Sequence, residues 1–522
     1  MSVDPLPRRR GSRRKTQHRK EIKPAIWPGL EGGAYKPLSE ADMGRIHASA
    51  LDILADIGMG GTIPVIVEAA RGKGLNLDSD GRLRFPRSFT EDIIANACHS
   101  FTLRAIDEKH NIDLGGAKVH FSAAGEAVSM LDFHSGKYRP STLLDIYDTA
   151  RLVDTLDNVH RYGNVLVPTD IEDLREFALN RTYATLAATG KLLGLTVMKP
   201  EYFDDVIAML DMIVGSEGDY LKSPFGLIGA CPVISPLTYG EDSAALICEA
   251  TCRGIPTMSV IAGQAGATAP ASLAGALAQN TAETLASLIM VNLIRPGHPM
   301  IFGNWPFVSD LRTGSFSGGS GEEAVLAAAA VQMGKFYNLP RSVGAGMTDS
   351  KVPDAQAGYE KGLTIGLAAN TGANLIMESC GMTASLLGAS LESMVIDNEI
   401  LGNVLRSVRG IEINDETLNL GVIREAVNGA GHYLGAAQTL ELMHSEYVYP
   451  ELADRSSPED WQDEGSLDMQ QRAREKAQQI LTSHFPAYIP PDSDQKIRER
   501  FPIRLDRQEM KAGSSRWCQK NR

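Results

Sequence analysis

From about residue 119 the chain alternates short apolar runs with longer stretches of helical period. The apolar runs fall at 119–123, 159–167, 192–198, 225–230, 257–262, 300–303, 342–346 and 374–378. Each has the length and composition of a buried strand. Between them lie helical patterns at 142–156, 171–189, 201–214, 241–253, 270–294, 321–337 and 354–371. Regular strand–helix alternation predicts a parallel sheet, and eight units predict an α/β fold of the closed (β/α)8 barrel type. An open doubly wound sheet is the alternative, but no G-x-G-x-x-G fingerprint follows the first strand.

The flanks differ from the barrel. Residues 38–57 form an amphipathic pattern with Ile46, Ile53, Leu54 and Ile57 on one side, stopped by Gly58 and Gly60-Gly61. Helical patterns follow at 64–74 and 90–98, and strand with turn at 101–114. The expected organisation is a basic arm over 1–35, a helical N-terminal layer over 36–117, the barrel over 118–410 and a helix-rich C-terminal extension over 411–522. A helix is expected at 386–409, and the Pro-rich, charged end at 485–522 is expected to wrap the surface or fray.

Charge narrows the function classes. A net charge of −13 argues against nucleic acid as the main partner. The exception is the basic stretch at 8–21, read as a solvated arm or a docking arm for an acidic partner. No apolar run of signal-peptide or membrane-span length follows it, and the six cysteines show no C-x-x-C pair. The expectation is a reduced, cytoplasmic protein.

A barrel collects its chemistry at the C-terminal ends of its strands. Ser122 and Glu126 follow the first predicted strand, Lys199 the third, Cys231 and Ser235 the fourth, and Gln264 the fifth. Asn304, Trp305 and Phe307 follow the sixth, and Glu378, Ser379 and Cys380 the eighth. The loop after the seventh is the richest: Thr348, Asp349, Ser350 and Lys351, with Gln356 and Tyr359 on the first turns of the next helix. Pro353 and Asp354 suit the start of that helix. Gly318-Gly319-Ser320-Gly321 lacks a P-loop lysine and reads as a tight turn rather than an anion nest. There is no H-E-x-x-H, no zinc spacing of Cys and His, and no G-x-S-x-G elbow. Resident zinc, haem or nicotinamide is therefore not expected. Trp305 and Phe307 read either as a lid packed over the barrel mouth or as faces for a cation, where each ring over a quaternary ammonium contributes roughly 0.5–2 kcal/mol.

Two long motifs carry a family resemblance. GMTDSKVPDAQAGYEKG, from Gly346 to Gly362, and AGHYLGAAQTLELMHSEYVYPELADRSSPEDWQDEG, from Ala430 to Gly465, resemble the trimethylamine methyltransferase (MttB-like) family. The resemblance implies a (β/α)8 barrel that moves a methyl group from a methylated amine to a corrinoid (cobalamin) carried by a separate protein, with no tightly bound cofactor. A homo-oligomer is expected. The archaeal trimethylamine enzymes carry pyrrolysine in or near the seventh-strand loop, whereas every residue here is standard. This chain therefore resembles the glycine betaine branch. The chemistry agrees: a quaternary ammonium leaves as a neutral amine and needs no proton donor, while neutral trimethylamine does.

Under this resemblance Asp349, Lys351, Gln356 and Tyr359 carry the catalytic roles. Gln264, Asn304, Trp305, Phe307, Ser350 and Glu378 surround the substrate. In an extended loop Asp349 and Lys351 point the same way. They pair with each other, or Lys351 holds the carboxylate of a betaine while aromatic rings hold its ammonium. Two other classes remain: a barrel lyase or aldolase using Lys351 or Lys199 as a Schiff base, and a betaine-binding protein without turnover.

Overall fold

The structure, a computed structural model, describes residues 24–513 and 516–517. The basic stretch at 8–21 lies outside the described residues. The described residues divide into two compact units, the larger formed by 26–411 with the segment that follows 450, the smaller built on 412–449.

The first unit is built on eight parallel strands: β1 (Ser122–Ala124), β2 (Arg161–Gly163), β3 (Leu192–Leu195), β4 (Leu227–Ala230), β5 (Thr257–Ile261), β6 (Met300–Asn304), β7 (Arg341–Gly344) and β8 (Leu375–Met377). Each pairs with the next in sequence, Ser122 with Arg161 at one end of the series and Gly344 with Met377 at the other. The sheet closes by a parallel bridge between Phe121 and Ile376, where Ile376 N donates to His120 O at 2.9 Å and Ser379 N to Ser122 O at 3.1 Å. All eight expected strands are present, and the alternation of short apolar runs and helical period led to the correct fold.

The helices after the strands are α1 (Leu143–Asp154), α2 (Leu174–Ala188), α3 (Phe203–Val214), α4 (Glu241–Arg253), α5 (Leu273–Ile294), α6 (Gly321–Phe336), α7 (Ala355–Thr371) and α8 (Leu391–Arg409). Their N-termini face the barrel mouth, and several are closed by side chains from the preceding loop. Thr142 forms a capping box with Asp145, and Asp173, Ser320, Asp354 and Ser390 accept a first-turn N–H. Asp354 is thus the cap of α7 rather than part of its first turn.

Helix α5 is apolar nearly all round and buried along almost its whole length. Such a helix needs cover on both sides. Its inner face packs on β5 and β6, and its outer face is covered by the N-terminal helices Glu40–Asp52, Pro64–Arg71 and Arg87–Asn96. The N-terminal layer therefore completes the barrel core, each fully buried Leu, Ile or Phe contributing roughly 1.5–3 kcal/mol. Near the C-terminus, Met469–Ser483 packs on α8 and α1, and Pro491–Arg500 on α3. Among the described residues beyond 490, Ile497, Phe501, Leu505 and Trp517 are buried.

The described part of the second unit carries three short helices, Asp415–Leu418, Leu420–Asn428 and Ala437–Leu442, with no buried residue in any. Among the described residues, no helix is long and apolar enough to cross a membrane.

Candidate active site

Besides the hairpin of Val233–Ile234 with Thr238–Tyr239 after β4, the loops after the strands build two small sheets beyond the barrel. Gln264–Ala265, Phe307–Ser309 and Phe316–Ser317 form one, with Gln264 paired to Phe307. Met382–Thr383, Gly388–Ala389, Ser129–Leu131 and Tyr138–Pro140 form the other.

Inside the barrel, small residues leave room for long ones. A Cβ on Gly163 would fall on the guanidinium of Arg161, and one on Gly194 would stand 2.8 Å from it. Arg161 fills that space, buried, donating to Ser122 Oγ at 3.0 Å and reaching Met377 Sδ at 3.5 Å. Burial lowers its guanidinium to about 10. Above β7, a Cβ on Gly344 would stand 2.7 Å from Glu378 Oε2 and 3.0 Å from the Phe307 ring. Glu378 and Phe307 thus converge on one spot. Phe307 lies edge-on to Phe316 at 5.0 Å and to Trp305 at 6.4 Å.

Three consecutive positions around the mouth hold backbone strain. Glu378, Glu126 and Asn164, which follow β8, β1 and β2, have φ of 60°, 53° and 64°. Left-handed conformations of non-glycine residues cost free energy and cluster at functional sites.

Two carboxyl groups at the mouth have no counterion among the described residues. Glu378 is 6% exposed, and its Oε2 has no hydrogen-bond partner. Burial, with Glu126 adding to it, pushes its carboxyl up to about 8. Glu323, in the first turn of α6, is fully buried with both oxygens unpartnered. Burial raises it well above the usual carboxylate range, and Glu378 and Asp349 add to the effect. Cys231, after β4, faces the same space. Its side chain is open to solvent, yet desolvation by the surrounding protein pushes the thiol up to about 11, with Glu126 and Glu378 contributing. An unpaired buried carboxyl is costly in an empty site, and it suits a ligand that brings positive charge.

The structure gathers some of the sequence-predicted residues and disperses others. Trp305, Phe307 and Glu378 meet at the mouth, and Gln264 joins them by accepting from Ser309 Oγ at 3.0 Å. Trp305 is buried, its indole N–H donating to Ser342 Oγ at 3.1 Å. Asn304 does not join them. It turns outward and donates to Thr281 of α5 at 3.0 Å, because successive residues of a strand face opposite sides.

The seventh-strand loop is bonded within itself. Glu360 accepts from Thr348 Oγ1, Asp349 N and Gln356 Nε2. Ser350 bonds Asp354 at 2.8 Å. Asp349 does not pair with Lys351. Its carboxylate accepts from Ser317 Oγ at 2.9 Å, Gly318 N at 3.0 Å and Ser385 Oγ at 2.7 Å, joining the loops after β6, β7 and β8. Lys351 is exposed, and its ammonium donates to the backbone carbonyl of Asp349. Tyr359 is 62% exposed. Gly318 and Gly319 serve close packing: a Cβ on Gly318 would stand 2.7 Å from Met347, and one on Gly319 would strike Glu360.

Glu323 was invisible to the sequence reading for a physical reason. Ser320-Gly321-Glu322-Glu323 has the S-x-x-E form of a capping box, in which the glutamate would turn back to the cap. Here Ser320 Oγ accepts from Glu323 N at 3.2 Å, but the carboxyl makes no return bond. Among the described residues no group of three or more His, Cys, Asp or Glu side chains is placed to hold a metal. Lys199, a Schiff-base candidate, is likewise open to solvent and 4.0 Å from Glu201.

The trimethylamine methyltransferase (MTTB) family pattern matches residues 7–509. A glycine betaine methyltransferase of Desulfitobacterium hafniense is 31% identical over 89% of this chain and 96% of its own length. A trimethylamine methyltransferase of the same species is 30% identical over 88% of this chain and 92% of its own. The crystal structure of the Methanosarcina barkeri monomethylamine methyltransferase superposes with a TM-score of 0.50 at 12% identity, covering 84% of this chain and 87% of that one. At that identity the likeness speaks for the fold alone.

Proposed function

This chain belongs to the trimethylamine methyltransferase family and is a methyltransferase, and from that premise we propose that it moves a methyl group from a quaternary amine, glycine betaine first among them, to the Co(I) corrinoid of a separate partner protein. The observation that carries the amine side is the convergence of the unpartnered Glu378 carboxyl with the Phe307 ring, beside Trp305, at the mouth. A ring face and a carboxyl together suit an ammonium better than any neutral or anionic group.

The acceptor supplies the nucleophile, and the chain's own residues supply orientation. Phe307, Trp305 and Phe316 enclose the ammonium pole and exclude water from it. Asp349 holds the three surrounding loops in register, so that one N-methyl group is presented along the barrel axis; such positioning accounts for much of the rate in displacement chemistry. The positive charge on nitrogen fades as the methyl leaves. A grip that is not too strong on the ground state therefore favours the reaction, and a cage built largely of ring faces meets that need better than one built of fixed anions. Because the acceptor is strongly reducing, the reading carries a cytoplasmic location, in keeping with five free thiols among the described residues. We also read the enzyme as a homo-oligomer.

The test is direct. Purified protein, glycine betaine and cob(I)alamin are expected to yield methylated corrinoid and dimethylglycine in equal amounts. Neither product from any quaternary amine would overturn the reading, and turnover confined to trimethylamine would move the substrate to a tertiary amine. Phe307→Leu keeps an apolar side chain but removes the ring, and should weaken binding of glycine betaine by about 2–30-fold; unchanged affinity would place the cation elsewhere. Lys351→Met should change kcat/KM by less than about fivefold, and equally for glycine betaine and choline, since the ammonium faces solvent. A loss specific to glycine betaine would put Lys351 on its carboxylate.

A further inference from the structure

We propose that Glu323 and Glu378 form a proton-exchanging acid pair that recognises the ammonium pole, so that binding a quaternary amine expels a proton from the barrel mouth. This rests on the reading of the mouth as a quaternary-amine site and adds how that site recognises charge.

The geometry comes first. Glu323 and Glu378 come from different elements, the first turn of α6 and the end of β8. Both are more than nine-tenths buried, and three of their four oxygens have no hydrogen-bond partner. Among the described residues, neither forms an ion pair with an arginine or lysine. Of the cations nearby, Arg181 of α2 pairs with Glu126 at 2.9 Å, while Arg161 of β2 bonds Ser122 and Met377, keeps an unpartnered Nε, and forms no ion pair with either glutamate among the described residues. Glu126, Asp349 and Cys231 are the other titratable groups that bear on the pair, from the loops after β1, β7 and β4. All three carry negative charge when ionised, so none can hold an ionised glutamate in place.

Titration follows from this. In the empty mouth burial and the neighbouring Glu126 hold Glu378 protonated up to about pH 8, and Glu323 is raised in the same direction. A quaternary ammonium beside the pair reverses the balance, because an opposite charge favours the ionised form. The O–H bond of one glutamic acid breaks, the proton passes to solvent, and the carboxylate that remains faces the cation. The sign is then defined. Between the lowered titration point of the complex and about pH 8, each unit of rising pH strengthens binding by up to tenfold; above pH 8 the affinity levels off. The ligand contributes nothing to this slope. Tetramethylammonium does not titrate, and the carboxylate of glycine betaine is ionised throughout the range.

The experiment is calorimetric titration of tetramethylammonium and of glycine betaine into the full-length protein at pH 7, in phosphate and in Tris. The two buffers differ in ionisation enthalpy, so the difference in heat counts protons. The expected result is release of about one proton per cation bound, with Kd falling at least tenfold between pH 6.5 and 8.5. Glu378→Gln should abolish most of the release while the melting temperature holds or rises, and Glu323→Gln should reduce it. Binding without proton release, or release unchanged in both variants, overturns the inference while leaving methyl transfer intact. Should either variant fail to fold, the wild-type pH series decides alone. Absence of binding by both probes would remove this inference together with the proposed substrate class.

Discussion

Lys361→Met is expected to lower the free energy of unfolding by about 3–5 kcal/mol, because it removes one partner of a fully buried ion pair. Lys361 of α7 and Asp397 of α8 meet at 2.5 Å, both almost completely inaccessible. Asp397 also accepts Gly381 N at 2.7 Å, which fixes the chain three residues beyond Glu378. Burial already raises the Asp397 carboxyl, and Lys361 opposes that rise. Without the ammonium, Asp397 must take up a proton or remain an uncompensated charge. The second substitution Asp397→Asn removes that charge and keeps an acceptor for Gly381, so the double variant should recover more than half of the loss. Denaturant midpoints of the two variants measure this. A single-variant loss below about 1 kcal/mol would show that the pair is not sealed from water.

Glu360→Ala is expected to cost about 2–5 kcal/mol and to lower methyl transfer at least tenfold. Glu360 is the acceptor on which the seventh-strand loop closes, and the substitution strands two donors, Thr348 Oγ1 and Asp349 N. A buried donor left without a partner costs about 1–3 kcal/mol. The effect on activity follows from Asp349. With its own N–H unanchored, its carboxylate loses register with Ser317, Gly318 and Ser385, and the loops after β6 and β8 part beside Glu323. Glu360→Gln keeps one acceptor oxygen and should fall between the two. Steady-state kinetics at a temperature where the variant is folded separate the two effects. Normal kcat/KM in a destabilised Glu360→Ala protein would confine the loop to a structural role.

The seventh-strand loop was singled out from its polar residues, and the structure shows what each of them bonds. Its hydroxyls bond Glu360 and Asp354, the Asp349 carboxylate bonds the loops after β6 and β8, and its lysine is exposed. The groups at the mouth come from its neighbours: Phe307 from the loop after β6, Glu323 from α6, and Glu378 from just after β8. A polar cluster in sequence marks a place where side chains satisfy one another as readily as a place where they meet a ligand. The more telling feature was a carboxyl without a partner, and partnership is a property of space.

The sequence by itself determined the barrel. Alternation of short apolar runs with helical period leaves few arrangements that bury every apolar face, and eight such units close on themselves. It also determined the family, because two long motifs survive in order. Tertiary structure alone decided which polar residues face the mouth. Asn304 and Trp305 are adjacent, yet one bonds α5 and the other β7. Glu323 occupies a capping position and leaves it for the interior. Both outcomes depend on the strand-end twist, on the room left by Gly344, and on loops of distant sequence arriving at one point. None of these is a local quantity, and local pattern is all that a chain read in order contains.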